Sequence, residues 1–189
     1  MSINLLEVQG VKCSSISSGI KKNNALDLSL ISLIKGSKTA AVFTQNIFCA
    51  APVLVAKNHL NSHVEALLIN SGNANAGTGK KGLEDAYESC EIIAKELLIE
   101  PEQVLPCSTG VIGELLPLEV FKTNANLLVS SLSKDGISQV AKGILTTDLV
   151  EKSYSTSFRV GGNIVTLSGI AKGSGMIRPD MATMLSFIV

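Results

Sequence analysis

The clearest periodic signal in the chain is an apolar stripe at steps of three and four. Leu83, Ala86, Tyr87, Cys90, Ile93, Ala94, Leu97 and Leu98 carry it, while Glu84, Asp85, Glu88 and Lys95 fall off it. That spacing predicts an amphipathic helix with one face toward a core. Pro101 closes it, because proline cannot continue a helix. Residues 118–132 and 137–145 repeat the helical spacing with weaker caps. Elsewhere the period drops to two. Tyr154, Thr156, Phe158 and Val160 alternate with Ser153, Ser155, Ser157 and Arg159, and Gly161-Gly162-Asn163 turns the chain into residues 164–168. This reads as a β-hairpin. Short apolar runs predict strands at 39–44, 53–56, 65–70 and 104–108. Residues 184–189 read as another strand, and the sequence stops inside it. A polar tail normally follows such a strand, so a missing segment is expected. The mixture of periods predicts an α/β or α+β class with mixed sheets and packed helices.

Composition narrows the function. The chain has 189 residues, 46% of them hydrophobic, with 16 basic and 16 acidic side chains and no net charge. This length suits one domain, or one large half of a bigger one. A mean hydropathy of +0.35 is enough apolar content to bury a core and argues against disorder. Zero net charge argues against a nucleic-acid partner, which takes a surplus of Lys and Arg, and against an electrostatic membrane anchor. No apolar run approaches the roughly 18–20 residues of a membrane span. The first residues carry Glu7 and show no basic segment followed by an apolar one, so no signal peptide is expected. Cys13, Cys49, Cys90 and Cys107 have no CxxC spacing. They read as buried free thiols of a cytoplasmic protein rather than zinc ligands or a redox pair.

Four stretches bear on chemistry. The loop from Asn70 to Lys80 lies between a predicted strand and the clear helix, where phosphate loops sit. The Walker pattern fails in it, because position 74 is Ala and position 81 is Lys. A tight turn whose Asn side chains bond the backbone is the better reading. His59 and His63 are four apart, but Leu60 occupies the Glu position of HExxH, so no metal site is expected and both read as surface histidines. Residues 106–113, PCSTGVIG, combine a hydroxyl with a glycine turn whose N–H groups can hold an oxyanion. An ordinary structural turn is the alternative, and Cys107 as a nucleophile has no neighbouring cation or His to support it. Residues 169–185, GIAKGSGMIRPDMATML, set Lys172 among glycines and end in Ala182-Thr183. A threonine acts without histidine when it becomes a chain's N-terminus, since its own α-amine (pKa ~7.7–8.0) takes the hydroxyl proton. A buried structural threonine is the other reading of Thr183.

Taken together, SGIK at 18–21, AAVFTQN at 40–46, AAPV at 50–53, NSGNANAGTG at 70–79, CSTGVIG at 107–113, TTD at 146–148 and the 169–185 stretch run in order over nearly the whole chain. In this they resemble the ornithine acetyltransferase (glutamate N-acetyltransferase) family of arginine biosynthesis. The resemblance implies a mixed-sheet α/β/β/α sandwich of the N-terminal-nucleophile type. It implies a precursor that cuts itself between Ala182 and Thr183. Residues 1–182 would then be an α-chain portion and 183–189 the start of a β chain, in an α2β2 heterotetramer. It also implies transfer of acetyl from N2-acetyl-L-ornithine to L-glutamate, some members also using acetyl-CoA, with no cofactor and no metal. Thr183 would be the nucleophile, Thr109 and Gly110 the oxyanion hole, and Thr146, Lys172 and Thr183 substrate-binding residues. Two departures stand out. Gly77 replaces a cysteine usual in the family, and only six residues follow Thr183, so activity is expected only of an intact α plus β protein. Competing readings are an N-terminal-nucleophile aminopeptidase or amidase with water as acceptor, a non-catalytic α-like binding module, and a phosphate-binding enzyme built on the 70–80 loop.

Overall fold

The structure is a computed structural model that describes residues 5–174 and 184–189. Four strands, β1 (Val11–Ile16), β2 (Leu28–Leu33), β3 (Ala66–Asn73) and β4 (Val104–Val111), lie in that order in one sheet. β1–β2 and β2–β3 are antiparallel, and β3–β4 is parallel. A parallel pair needs a long crossover, and helix α2 (Gly79–Leu97) supplies it. This is the helix that the apolar stripe predicts. It ends where Leu98 turns left-handed at φ 58°, ahead of Pro101, which opens a short 3₁₀ turn.

Helices α1 (Ala51–His59), α2 and α3 (Leu118–Ser130) cover one face of the sheet. Leu28, Leu30, Ala66 and Leu68 of the strands meet Val55, Cys90, Ile93, Phe121 and Leu128 of these helices. The alternate strand residues point the other way. Cys13, Ile31 and Ile69 pack with Ile137, Val140, Ala141 and Ile144, on and just after α4 (Ile137–Gly143), and with Ile170. Ile170 belongs to a second, antiparallel sheet of β5 (Lys152–Val160), β6 (Asn163–Lys172) and β7 (Leu185–Ile188), in that order. Leu185 and Phe187 of β7 also lie against this second core. The architecture is thus mixed α/β: three helices, a four-stranded sheet, then α4 with a three-stranded sheet. Each fully buried Leu or Ile here contributes about 1.5–3 kcal/mol.

The β5–β6 hairpin matches its alternating pattern. Its turn residues Gly161 and Gly162 have φ of 54° and 86°, the handedness that two-residue hairpin turns need. Two expected strands differ from what is found. Residues 39–44 form no regular element. Residues 53–56 lie inside α1, where Pro52 sits in the first turn, a position proline favours. A short apolar run does not by itself distinguish a strand from a buried helix. β1 and β2, in contrast, carry no clean alternation because both faces of this sheet are covered.

Candidate functional site

The parallel register of β3 and β4 sets two of the motifs side by side. Asn70 pairs with Ser108, Ser71 with Thr109, and Gly72 with Gly110. Ser108 Oγ donates to Asn70 Oδ1 at 2.6 Å. Past Gly72 the register slips, and Asn73 faces both Thr109 and Val111, a bulge of the kind that re-aims residues at a strand end. Gly110 has φ 140°, and a Cβ on it would lie 2.2 Å from the Gly72 carbonyl carbon and 2.5 Å from the Asn73 nitrogen. Only glycine fits that approach. Thr109 is 7% exposed, and its buried Oγ1 has no hydrogen-bond partner among the described residues. A buried hydroxyl left unpaired calls for an explanation. Beside a strand end with a glycine turn, it is a hydroxyl with unspent hydrogen-bonding capacity, of the kind that can serve an oxyanion.

The Asn-rich loop that follows is a structural turn, as its composition predicts. Asn70 Nδ2 donates to the Asn73 carbonyl at 2.8 Å, the Asn75 N–H to Asn73 Oδ1 at 2.7 Å, and Asn75 Nδ2 to the Gly82 carbonyl at 2.8 Å. These bonds occupy the amides with backbone partners.

A second cluster forms where α4 and β6 end. Lys172, the last residue of β6, is 3% exposed, and its ammonium donates to Thr146 Oγ1 at 2.7 Å. Burial pushes this ammonium below the usual lysine range, Asp148 partly opposes that, and Lys152 adds to it. Among the described residues the ammonium forms no ion pair. Asp148 Oδ1 accepts from Lys152 Nζ at 2.5 Å and from the Gly173 N–H at 2.8 Å. Burial pushes its carboxyl up. The Lys152 and Gly173 hydrogen bonds, with the Lys152 and Lys172 charges, outweigh burial and hold it below the usual carboxylate range.

The two clusters are joined through Ser71. Ser71 faces Thr109 across the strands, and its Oγ donates to the Gly143 carbonyl at the end of α4, three residues before Thr146. Gly143 is required there, because a Cβ on it would lie 2.2 Å from Ser15 Oγ and 2.4 Å from Ser29 Oγ. The structure therefore brings Thr109 with Gly110, and Thr146 with Lys172, to one side of the molecule. Ala182 and Thr183 lie outside the described residues.

Several expectations change. His59 is not a surface residue. It is 2% exposed, its Nδ1 bonds the Val104 carbonyl at 2.8 Å, and its ring tilts against Tyr87. His63 falls beyond the end of α1, so the two histidines do not share a helix face. All four cysteines are free, but only Cys13 and Cys90 are fully buried. Cys107 packs against the second core, and burial pushes its thiol up to about 12, which keeps it protonated and a poor nucleophile. Sequence reasoning missed roles for Asp27 and Asp148, both buried carboxylates. A lone acid just before an apolar strand, as in Asp27-Leu28, is the available signal, since such a group is rarely buried without partners.

Comparison with known proteins identifies the family and the fold. Residues 12–189 match the model of the ArgJ family. The chain is 42% identical to the arginine biosynthesis bifunctional protein ArgJ of Colwellia psychrerythraea, over 97% of this chain and 46% of that protein. It is 47% identical to the protein of the same name from Methylococcus capsulatus, over 98% and 46% respectively. The chain thus spans about half the length of the curated relatives it matches. Among solved structures, arginine biosynthesis bifunctional protein argJ of Bacillus halodurans superposes with a TM-score of 0.86 at 36% identity, covering 95% of this chain and 98% of that one. Ornithine acetyltransferase complexed with ornithine, from Mycobacterium tuberculosis, gives 0.82 at 32% identity, covering 91% and 92%. On this coverage and identity, the chain belongs to the ArgJ family.

Proposed function

We propose that this chain is the N-terminal part of an acetyltransferase that moves the acetyl group of N2-acetyl-L-ornithine to L-glutamate. The observation that carries the reading is the buried Lys172 ammonium, held by the Thr146 hydroxyl and without an ion pair among the described residues. A desolvated cation of this kind suits a carboxylate, and both substrates carry an α-carboxylate. The relative from Mycobacterium tuberculosis is described with ornithine bound, which supports an amino-acid substrate class.

The chemistry follows a double displacement. Thr183 Oγ attacks the acetyl carbonyl while its α-amine takes the hydroxyl proton. The oxyanion of the tetrahedral intermediate is held by the Thr109 hydroxyl and the Gly110 N–H. Collapse breaks the C–N bond, ornithine leaves with the proton, and an acetyl ester remains on Thr183. The glutamate amine then attacks that ester through a second intermediate at the same oxyanion site, and Thr183 is regenerated. Acetyl-CoA can enter as an alternative acetyl donor. No cofactor or metal takes part in these steps.

For Thr183 to own an α-amine, the bond after Ala182 must break. The length relations support this: the chain spans 46% of its curated relatives but 98% of the solved Bacillus halodurans chain. In this reading residues 1–182 end an α chain, 183–189 begin a β chain, and two of each assemble into an α2β2 heterotetramer. A cytoplasmic setting fits the free thiols, and no described helix is long and apolar enough to cross a membrane.

The test expresses the complete reading frame and measures intact masses. The expected result is one chain ending at Ala182 and a partner beginning at Thr183. Ornithine release from acetylornithine beyond one equivalent per active site should require glutamate, and the Thr183→Ala protein should stay uncut and inactive. Sustained ornithine release with water as the only acceptor would make the protein an amidase. An uncut wild type that binds acetylornithine without turnover would make it a binding module.

A further inference from the structure

Residues 18–21 lie beside both clusters, and the chemistry above makes no use of them. One carboxylate clamps this segment. Asp27, fully buried, accepts from the Ser18 N–H at 2.7 Å, Ser18 Oγ at 2.7 Å, the Gly19 N–H at 3.2 Å and the Lys21 N–H at 2.8 Å. Four donors fill the capacity of an ionised carboxylate. The Asp27 carbonyl accepts the Ser71 N–H at 2.8 Å, which ties the clamp to β3. From there the segment crosses the glycine turn. A Cβ on Gly72 would lie 2.9 Å from Ile20 Cγ2 and 3.3 Å from Lys21 Cγ. The Lys21 ammonium then donates to the carbonyls of Leu145 at 2.7 Å and Leu26 at 2.9 Å. Leu145 directly precedes Thr146.

We propose that Lys21 is a positioning residue that locks the two halves of the site together. Its stem lies on Gly72 beside the Gly110 turn, and its ammonium fixes the peptide that carries Thr146. Two neutral carbonyls do not need a charged donor. Burial pushes this ammonium below the usual lysine range, Asp27 opposes that, and the like charge of Lys172 pushes it further down. Two cations held at one edge of the fold are a cost that a bound anion offsets. The ligand that fits is a carboxylate, and to that extent the inference rests on the proposed function.

The experiment compares the complete protein with its Lys21→Met and Lys21→Arg variants. Lys21→Met keeps the stem on Gly72 and removes both hydrogen bonds and the charge. KM for the amino-acid substrates is expected to rise about 10- to 100-fold, the range a charge-assisted hydrogen bond commands, while kcat moves less than about 3-fold. Lys21→Arg should recover most of the loss. A Lys21 that only stabilises the fold would lower Tm and leave KM of the folded protein unchanged, and that result overturns the proposal. A crystal structure of Lys21→Met gives a readout independent of activity. The Thr146–Lys172 contact should be broken, and its persistence at 2.7 Å would also overturn the proposal. Should Lys21→Met fail to fold, Lys21→Gln, which removes the charge but keeps an amide NH2 as donor, carries the same two measurements. An inactive wild type would sink the proposed function, while the crystal structure still decides the role of Lys21.

Discussion

The two halves of the candidate site are built by opposite means. Thr109–Gly110 is placed by backbone: a parallel strand register and a contact between Gly110 and Gly72 that leaves no room for a methyl group. Thr146–Lys172 is placed by side chains: a buried ammonium on one hydroxyl, with Asp148 and Lys152 nearby and Lys21 on the preceding carbonyl. A backbone-built half answers to added atoms and is indifferent to pH. A side-chain-built half answers to charge and titrates. That division suits the chemistry proposed for each, since an oxyanion needs fixed dipoles that pay no reorganisation and a carboxylate needs a counter-charge.

The largest way to break the comparison is Gly110→Ala. The added Cβ collides with β3, and φ 140° is strained for alanine. Turnover by the complete protein should fall about 10²- to 10³-fold, the range for a lost oxyanion donor. Tm should drop in the same variant, with KM changing little in the folded fraction. A near-normal kcat would mean that this turn is not where charge develops.

Lys172→Met should act on the other half alone. The hydroxyl of Thr146 loses its donor, and substrate carboxylates lose their counter-charge. kcat/KM should fall roughly 10- to 100-fold, as expected for a charged hydrogen bond, and chiefly through KM. Thermal stability should hold or rise, since a desolvated cation is removed. An unchanged KM would place the carboxylate elsewhere.

The smallest effect sharpens the contrast by pH. Burial lowers the Lys172 pKa from its usual 10.5, so the folded protein holds this proton less tightly than the unfolded chain does. As pH rises from neutrality through the lowered value, this residue's contribution to stability increases and then levels off above the unfolded pKa. Substrate affinity moves the other way, because the neutral amine no longer attracts a carboxylate. KM should therefore climb on the alkaline side at a pH below an ordinary lysine's range. Lys172→Arg should move that limb upward. Kinetics across pH 7 to 10 measure it, and a flat profile would contradict the assignment.

Legibility followed the same division. The helix at α2 and the β5–β6 hairpin were readable because each exposes one face and so keeps a clean period. β1 and β2 were not, because Leu28 and Leu30 serve one core while Cys13 and Ile31 serve another. α1 read as a strand because its apolar run is short and both patterns fit it. In the site, the motifs around Thr109, Thr146 and Lys172 stood out by composition and family resemblance. Asp27 did not, and Lys21 did so only as part of the SGIK motif with no role attached, since a clamp and a bridge have no local spacing. His59 read as surface, and only packing beside Tyr87 and the Val104 carbonyl made it a core residue.

What the amino-acid sequence determined by itself was local: which segments are amphipathic, where glycine turns must lie, and which polar residues stand among small ones. It also carried family membership, because motifs in order along a chain survive without coordinates. Tertiary structure decided which of those residues meet. The pairing of Gly72 with Gly110, of Thr146 with Lys172, and of Lys21 with Leu145 spans 38, 26 and 124 positions along the chain. Such contacts arise only when a register and two cores have closed, since the side chains that make them carry no periodic mark and their partners lie outside any local window.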